Sequence, residues 1–269
     1  MINFSEILWK PKPAGRTRSS ATVAAPERVE ETPRLLQLPV DEVPIPPESR
    51  IVLVTEPHSP GADRYRYLRM RLRELKAAVG LQKLVITSPF PQDGKSTTIL
   101  NLATALAEQG KANVLVLEAD LYHPSLGQKI GVPPRSGLAE CLEEEIDPMD
   151  LVRRIEPLGW YFLPGGMARG NPSELLQSEA LTAVIEKVAP YFDWILFDTP
   201  PVGPLSDALS LLRHVDASML VVRADRTPQD AVKQALNLLG PKHVLGIIFN
   251  AAKGLSPGSS NYYGYYPKR

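Results

Sequence analysis

The sequence has little of what marks secreted proteins, membrane-spanning proteins or proteins with cysteine- and histidine-based metal centres. It holds one cysteine in 269 residues, Cys141, which excludes an internal disulfide framework. Its four histidines are scattered without the spacing of metal ligands. No apolar run is long enough to cross a bilayer, and the first residues lack the basic region and apolar core of a signal peptide. We therefore expect a cytoplasmic protein with no direct membrane span.

Net charge is also absent, and composition divides the chain into three parts. Lys plus Arg number 30 and Asp plus Glu number 30, so bulk charge does not indicate a nucleic-acid partner. Residues 1–49 hold eight of the 27 prolines and few paired apolar positions, which predicts a disordered arm. Residues 50–253 have the length of one α/β domain. Residues 254–269 are rich in Gly, Ser and Tyr and are predicted to be a flexible tail.

Apolar runs alternate with helical patterns throughout the domain. A short strand is predicted at residues 50–54, followed by an arginine-rich helix at residues 63–79. Further buried strands are predicted at residues 84–86, 113–117, 160–163, 194–197, 217–222 and 244–249. Strands separated by helices favour right-handed crossovers. The sequence therefore predicts an α/β fold with a mostly parallel, twisted sheet and helices on both faces.

The best-defined motif follows the strand at residues 84–86. The loop from Pro89 to Thr97 ends in Gly-Lys-Ser-Thr and opens a helix, as a P-loop does, although Pro89 stands where the general pattern has glycine. Backbone N–H groups of such a loop bind phosphate, its lysine adds a mobile cation, and the next hydroxyl ligates Mg²⁺. We therefore predict a P-loop NTPase that binds a nucleotide with Mg²⁺. The predicted nucleotide-binding residues of the loop are Gln92, Asp93, Gly94, Lys95, Ser96 and Thr97.

Polar side chains end several of the predicted strands. Asp198 ends an apolar strand as the acid of a Walker B motif does, and with Ser96 it is predicted to organise the Mg²⁺. Glu118 and Asp120 lie two residues apart, which places them on the same side of an extended chain. One of these two is predicted to shape the metal shell while the other accepts a proton from an attacking hydroxyl. Asn250 ends the last strand at the same edge and joins the predicted nucleotide site.

The C-terminal tail concentrates tyrosine. Four of the nine tyrosines fall within five positions, as Tyr262, Tyr263, Tyr265 and Tyr266. A phenol oxygen is a nucleophile once it is deprotonated, and a flexible tail can reach the site of a neighbouring molecule. We predict that these four tyrosines accept phosphate at the P-loop site.

Taken in order along the chain, these motifs resemble those of the bacterial tyrosine autokinases of capsule and exopolysaccharide assembly. The resemblance covers residues 50–269, through the P-loop, the segments at residues 114–126, 171–176 and 198–208, and the tail. It implies an ATP-dependent protein-tyrosine kinase that phosphorylates its own tail in trans and regulates polysaccharide synthesis and export. The implied catalytic residues are Lys95, Asp120 and Glu118, and the implied metal-site residues are Ser96, Asp198 and Glu118.

The same resemblance gives the arginine-rich helix a role. In the family, a glutamate and two arginines spaced three positions apart mediate ring-like self-association. The matching positions here are Asp63, which replaces the glutamate, Arg66 and Arg69. A homo-oligomer is therefore implied. The resemblance also implies a membrane-embedded chain-length regulator as partner, which recruits the chain to the inner face of the membrane.

Three departures from the family motivate alternative functions. Glu118 stands where Asp is usual, Tyr122 where Arg is usual, and Gln92 where Gly is usual. One alternative is a nucleotide-binding regulator with weak or no catalysis. Another is a partitioning- or positioning-type ATPase, of the ParA and MinD kind, in which water is the nucleophile. Those ATPases carry a second lysine near the start of the loop, whereas residues 90–95 of this chain provide only Lys95.

Overall fold

One sheet lies at the centre of the part of the chain that the computed structural model describes, residues 32–110, 112–202 and 207–252. Its strands are β1 Val40–Glu42, β2 Lys83–Thr87, β3 Val114–Glu118, β4 Arg153–Glu156, β5 Trp160–Leu163, β6 Trp194–Asp198, β7 Ala217–Arg223 and β8 Val244–Asn250. Their order across the sheet is β1-β4-β5-β3-β6-β2-β7-β8. Neighbouring strands run parallel except for β4 and β5. The predicted α/β fold with a mostly parallel sheet is confirmed.

Helices cover both faces of this sheet. They are α1 Thr32–Leu36, α2 Val52–Thr55, α3 Pro60–Val79, α4 Lys95–Ala107, α5 Leu126–Ile130, α6 Leu138–Glu144, α7 Pro148–Leu151, α8 Pro172–Gln177, α9 Glu179–Val188, α10 Asp207–Leu211 and α11 Gln229–Leu239, with 3₁₀ turns at Pro47–Ser49, Glu108–Gly110 and Ala189–Tyr191. Side chains alternate along β2 because successive residues of a strand point to opposite faces. Leu84 and Ile86 pack in the core with α3 and α4, whereas Val85 packs with α6, α8 and α9.

The arginine-rich helix α3 begins three residues before the predicted start. Ser59 caps it, because its hydroxyl accepts the backbone N–H of Ala62 at 3.2 Å, and Pro60 follows in the first turn, where no N–H is needed. Leu68 and Leu72 bury the inner face of α3 against α4. Three arginines of α3 bond to the C-terminal end of α4 and to Glu108, while Tyr67 and Met70 are exposed.

The prediction that residues 32–49 belong to a disordered arm is wrong. Here β1 pairs in parallel with β4, and Leu35 and Leu38 are buried in the core. Nη2 of Arg34 lies 3.0 Å from Oδ2 of Asp147, and the Arg34 guanidinium lies over the ring of Tyr191. A few apolar residues with long-range partners thus outweigh a proline-rich composition. Residues 1–31, and the predicted tail with its four acceptor tyrosines, lie outside the described residues.

The strand predicted at residues 50–54 is also wrong, because this segment forms the single turn α2. Asn101 of α4 binds its backbone: Oδ1 accepts the N–H of Val52 at 2.9 Å, and Nδ2 donates to the carbonyl of Arg50 at 2.8 Å. The side-chain amide of Asn101 therefore provides the backbone hydrogen bonds that a neighbouring strand would otherwise provide. Within the described residues, no helix combines the length and the apolar character needed to cross a membrane.

Candidate active site

The loop between β2 and α4 requires glycine at position 94. Gly94 has φ of 98°, in the left-handed region, and a Cβ there would lie 1.7 Å from Nδ2 of Asn250. The same Nδ2 donates to the carbonyl oxygen of Asp93 at 3.0 Å. Asn250, at the end of β8, therefore holds the loop backbone in place. Asn250, predicted to belong to the nucleotide site, therefore contacts the loop backbone and supports its shape.

Gln92 and Asp93 shape the loop before Gly94. Gln92 has φ of 66°, and Nη1 of Arg223 donates to its carbonyl oxygen at 3.1 Å. Asp93 is buried, and its carboxylate accepts the N–H of Phe90 at 3.0 Å and the hydroxyl of Thr227 at 2.8 Å. The Asp93 carboxylate is thus committed to the loop itself.

Lys95 opens α4 and lies among carboxylates at the carboxyl ends of the central strands. Its Nζ is 2.8 Å from Oδ1 of Asp198 at the end of β6, and 3.7 Å from Oδ2 of Asp120 just after β3. Asp198 is 1% exposed and Lys95 11% exposed at the side chain, so water screens this contact little. Ser96 and Thr97 occupy the same first turn of α4 and are half-buried. The structure therefore brings five predicted site residues to one point.

Asp120 is the carboxylate that reaches the edge of this cluster. Burial raises the pKa of its carboxyl, and the negative charge of Asp198 adds to that rise, while Lys95 opposes it. Oδ1 of Asp120 accepts the backbone N–H of His123 at 3.2 Å, which fixes the orientation of the carboxylate. A carboxylate with a raised pKa, next to a cation, suits the acceptance of a proton.

Glu118 lies opposite Asp198 in the register of β3 and β6, and its carboxylate is bound by backbone N–H groups. Its Oε1 accepts the backbone N–H groups of Ser125 at 2.5 Å and Leu126 at 2.6 Å, and its Oε2 accepts that of Gly165 at 3.0 Å. Burial raises the pKa of Glu118, and these three N–H donors oppose the rise. The two-residue alternation continues past the end of β3, because Ala119 and Leu121 pack in the same core cluster as Leu117. The structure gives this side chain a role in joining two loops of the site.

The oxygen donors around Lys95 fit a hard cation such as Mg²⁺ that is shared with phosphates. Ser96 offers a hydroxyl and Asp198 a carboxylate, and such sites usually hold Mg²⁺ by one or two protein oxygens, with phosphate and water supplying the rest. Across the part of the chain that the structure covers, no three His, Cys, Asp or Glu side chains are grouped as metal ligands. The site therefore suits a metal that arrives with its nucleotide.

Two further residues belong to the site, and neither was predicted from the sequence. Lys129 of α5 lies near enough to Asp198 and Asp120 to interact with them electrostatically. Thr227, 134 positions after Asp93, donates to that buried carboxylate. Neither residue belongs to a motif, because each contact depends on how distant loops meet at the sheet edge.

A cleft of about 420 Å³ opens beside the phosphate loop. Asp120 lies in its wall together with the loop residues Pro89, Phe90 and Pro91. The other walls come from the segment after β3, the segment after β6 and one side of α11. The cleft and the cluster around Lys95 therefore share Asp120.

The residues predicted to mediate self-association lie at the opposite end of α4. Arg66 binds Glu108 through Nε and Nη2, at 3.1 and 3.0 Å from Oε1, and its Nη1 lies 3.2 Å from Asp63. Arg69 also pairs with Glu108 and donates to the carbonyl of Ala105 at 3.0 Å. The three predicted residues thus form one charge cluster within the chain.

Comparisons with known proteins agree with this geometry. Residues 82–267 match the ParA family, described as an NUBPL iron-transfer P-loop NTPase. The tyrosine-protein kinase YwqD of Bacillus subtilis (strain 168) is 31% identical over 221 residues, which cover 81% of this chain and 92% of YwqD. The chain belongs to the bacterial tyrosine-kinase family. The family lies within the P-loop NTPases, a class of nucleotide-binding proteins.

Two further matches differ in how much of the other protein they cover. The kinase domain of the Escherichia coli tyrosine kinase ETK superposes with a TM-score of 0.71 at 27% identity, over 80% of this chain and 85% of that domain. The succinoglycan biosynthesis transport protein ExoP of Rhizobium meliloti (strain 1021) is 33% identical over 216 residues, 78% of this chain. Those residues span 27% of ExoP, so the matching unit is a minor part of that longer protein.

Proposed function

We propose that this chain is an ATP-dependent protein-tyrosine autokinase that regulates capsule or exopolysaccharide synthesis and export. Its substrate is the tail of a neighbouring copy. One observation carries the proposal: Lys95 lies between two carboxylates at the first turn of α4, and one of them, Asp120, also lines an open cleft. The proposed phosphoacceptors are Tyr262, Tyr263, Tyr265 and Tyr266.

The proposed chemistry gives each residue of the cluster one task. ATP bound with Mg²⁺ supplies the γ-phosphoryl group and a cation that neutralises its charge. Lys95 and the N–H groups of the loop bind the phosphate oxygens, while Ser96 and Asp198 hold the metal. Asp120 accepts the phenol proton, the phenol oxygen bonds to the γ-phosphorus, and the bond to the bridging oxygen breaks to leave ADP.

The proposal assigns proton acceptance to Asp120 and leaves Glu118 as a positioning residue. The Glu118 carboxylate accepts hydrogen bonds from the N–H groups of Ser125, Leu126 and Gly165. These bonds fix the segment that follows Asp120. Gln92, Asp93 and Asn250 take part in nucleotide binding through the shape of the loop. This division differs from the expected one, in which one of the two acids shapes the metal shell while the other accepts the proton.

Lys95→Met with labelled ATP tests the proposed activity. We expect wild-type protein to form phosphotyrosine, and Lys95→Met to lose it, because the phosphates lose their mobile cation. Changing all four tail tyrosines to phenylalanine should remove most of the label, as mapped by mass spectrometry. Lys233→Met is the matched control, since its ammonium forms an exposed pair with Asp230. Phosphotyrosine that survives both the Lys95 and the tail changes contradicts the proposal.

The proposed partners follow from the family. Self-association into a ring through Asp63, Arg66 and Arg69 would present each tail to the next site. A membrane-embedded chain-length regulator would hold the chain at the inner face of the membrane, and the match to part of ExoP supports a physical link between the two functions. Flotation with vesicles tests this, because the chain should float only when the regulator is present in the bilayer.

A partitioning-type ATPase is the second candidate, and the match to the ParA family favours it. In that case water is the nucleophile, and ATP is hydrolysed without protein phosphorylation. Measurement of phosphate release alongside phosphotyrosine separates the two functions. Rapid release with no phosphotyrosine supports the ATPase and contradicts the kinase.

A further inference from the structure

Three large apolar side chains that the folded domain leaves exposed meet in the cleft beside Asp120. Phe90 is 45% exposed, Tyr122 36% and Leu238 49%, and all three line the cleft. They come from three separate segments: the phosphate loop, the segment after β3, and α11. Exposed apolar surface gathered in one place, rather than scattered, marks a binding site.

The position of the cleft connects it with the phosphoryl-transfer site. Asp120 lines the cleft, and its Oδ2 is 3.7 Å from Nζ of Lys95. Pro89 and Phe90 form another part of the wall and belong to the loop that precedes Gly94. A group seated in the cleft therefore lies beside the carboxylate proposed to accept a proton.

The lining indicates the chemistry of the occupant. Among the described residues that form the walls, Asp120 is the carboxylate and His123 the imidazole, and neither lysine nor arginine is present. Prolines and aliphatic side chains, including Pro200, Pro201 and Val202, supply most of the remaining surface. Such walls match an uncharged aromatic segment and offer no partner for phosphate groups or acidic peptides.

The chain carries a segment of this chemistry, which follows in sequence the strand β8. Residues 259–266 read Ser-Ser-Asn-Tyr-Tyr-Gly-Tyr-Tyr and contain no charged residue. The described chain ends at residue 252, two positions after Asn250, which binds the phosphate loop. Tyr262 follows ten positions later, so it can lie up to about 33 Å away at ~3.3 Å per residue.

We propose that the cleft is the acceptor site for this uncharged tyrosine-rich segment, and that Phe90, Tyr122 and Leu238 hold the acceptor and select against charged sequences. The inference rests on the proposed kinase function and deepens it, because it names what the site admits. Tyr122, which stands where the family usually has Arg, gives this chain an aromatic wall where a cation is usual. An aromatic ring there favours phenol rings in offset or edge-to-face contact.

Kinetics with a synthetic peptide of residues 259–266, capped at both ends, test the inference. Full-length protein with its four tail tyrosines changed to serine is the enzyme, so that the peptide is the acceptor. We expect Leu238→Asp to raise the KM for the peptide tenfold or more and to leave ATP affinity unchanged, because the change lies in the cleft wall. Phe90→Ala should raise the same KM.

Met167→Asp is the matched control, since Met167 is 76% exposed and does not line the cleft. It should leave the peptide KM at the wild-type value. A second peptide, with Asn261 and Gly264 replaced by glutamate, should have a raised KM with the unaltered cleft. Equal KM values for the two peptides, or an unchanged KM in Leu238→Asp, overturn the inference.

Two further outcomes separate this inference from the proposed function. Loss of ATP affinity in Leu238→Asp overturns the inference, because the cleft would then serve the nucleotide. A fluorescent peptide with phenylalanine in place of tyrosine should bind the unaltered cleft at least tenfold more tightly than Leu238→Asp in anisotropy measurements. If this peptide binds so but the tyrosine peptide is never phosphorylated, the kinase function fails while the cleft specificity stands. If phosphorylation occurs and neither measurement depends on Leu238, the cleft inference alone fails.

Discussion

The two ends of α4 carry charge clusters that differ in balance and burial. At the N-terminal end, Lys95 lies between carboxylates, with Asp198 at 2.8 Å. At the C-terminal end, the carboxylate of Glu108 lies between Arg66 and Arg69. Asp198 is almost fully buried, whereas the Glu108 side chain is 25% exposed. At the N-terminal end the carboxylates outnumber the nearby cationic side chains, whereas at the C-terminal end the cationic side chains balance the carboxylates.

The pKa shifts at the two ends run in opposite directions. At the N-terminal end, burial raises the pKa of Asp120, and Lys95 only partly opposes it. At the C-terminal end, burial alone would raise the pKa of Glu108, but hydrogen bonds and charges from Arg66 and Arg69 outweigh burial and lower it. A site with unbalanced negative charge is suited to bind a cation, while a cluster whose charges are balanced stabilises the fold.

The largest expected effect is on activity, through Asp120→Asn. Loss of the proposed proton acceptor should lower kcat for tail phosphorylation by roughly 10²–10⁴-fold, the usual contribution of a positioned acid or base. ATP affinity should change little, because Asp120 is not among the residues proposed to bind phosphate. Initial rates and a nucleotide-binding titration measure the two quantities. The acid limb of the pH–rate profile should lie above the range of an ordinary aspartate, because this pKa is raised.

Asp230→Asn is the control for this change, since Asp230 is exposed and pairs with Lys233. Its rate and its pH profile should match those of the wild type. A kcat for Asp120→Asn within threefold of the wild type would show that Asp120 does not accept the proton.

The same substitution should increase the stability of the protein without ligand. A carboxyl with a raised pKa keeps its proton in the folded state where the unfolded chain has lost it. Ionisation of Asp120 therefore lowers stability as pH rises from the ordinary aspartate value through the raised one. Asp120→Asn should remove that loss and raise the free energy of unfolding at neutral pH by about 0.5–2 kcal/mol.

Denaturant unfolding of both proteins between pH 3 and pH 8 measures this effect. The advantage of the variant should grow with pH across that window and level off above it. A variant less stable than the wild type at pH 8 would mean that the Asp120 contact with Lys95 stabilises the fold, and the contrast between the two ends of α4 would be lost.

The fold and the main residues of the site were predictable from the sequence because their signals are local. Strand periodicity and the Gly-Lys-Ser-Thr loop fixed the positions of Lys95, Asp198 and Asn250 at one edge of the sheet. The backbone contacts of Glu118 were not predictable, because its three N–H donors lie 7, 8 and 47 positions further along the chain, outside the strand pattern.

Long-range contacts account for the other differences. The docking of residues 32–49 depends on Leu35 and Leu38 meeting helices far along the chain, and proline content gives no information about such partners. The turn α2 replaces a strand because Asn101, about 50 positions later, binds its backbone. Local propensity fails wherever a distant side chain satisfies the backbone.

A smaller effect is expected at the C-terminal end of α4, from Glu108→Gln. Removing this anion leaves Arg66 and Arg69 facing each other, and the free energy of unfolding should fall by about 0.5–1 kcal/mol, since partial exposure screens the pairs. A lowered carboxyl pKa contributes stability above the unfolded value and loses it as pH falls through the folded one. The difference between the two proteins should therefore disappear at acid pH. Glu74→Gln, which changes an exposed pair with Arg71, is the control. A difference that persists at pH 2 would assign the effect to packing rather than charge.

The smallest expected effect on stability comes from Asp63→Ala at the same end. Asp63 is 58% exposed and pairs with Arg66 three positions along α3, so the free energy of unfolding should change by less than about 0.5 kcal/mol. Assembly should respond differently, because the proposed ring uses this acidic residue between copies. We expect the dissociation constant of the oligomer to rise at least tenfold in sedimentation velocity, while Asp230→Ala, which removes a comparable exposed pair, leaves it unchanged. Wild-type assembly in Asp63→Ala would confine Asp63 to its contact with Arg66 and remove it from the proposed interface.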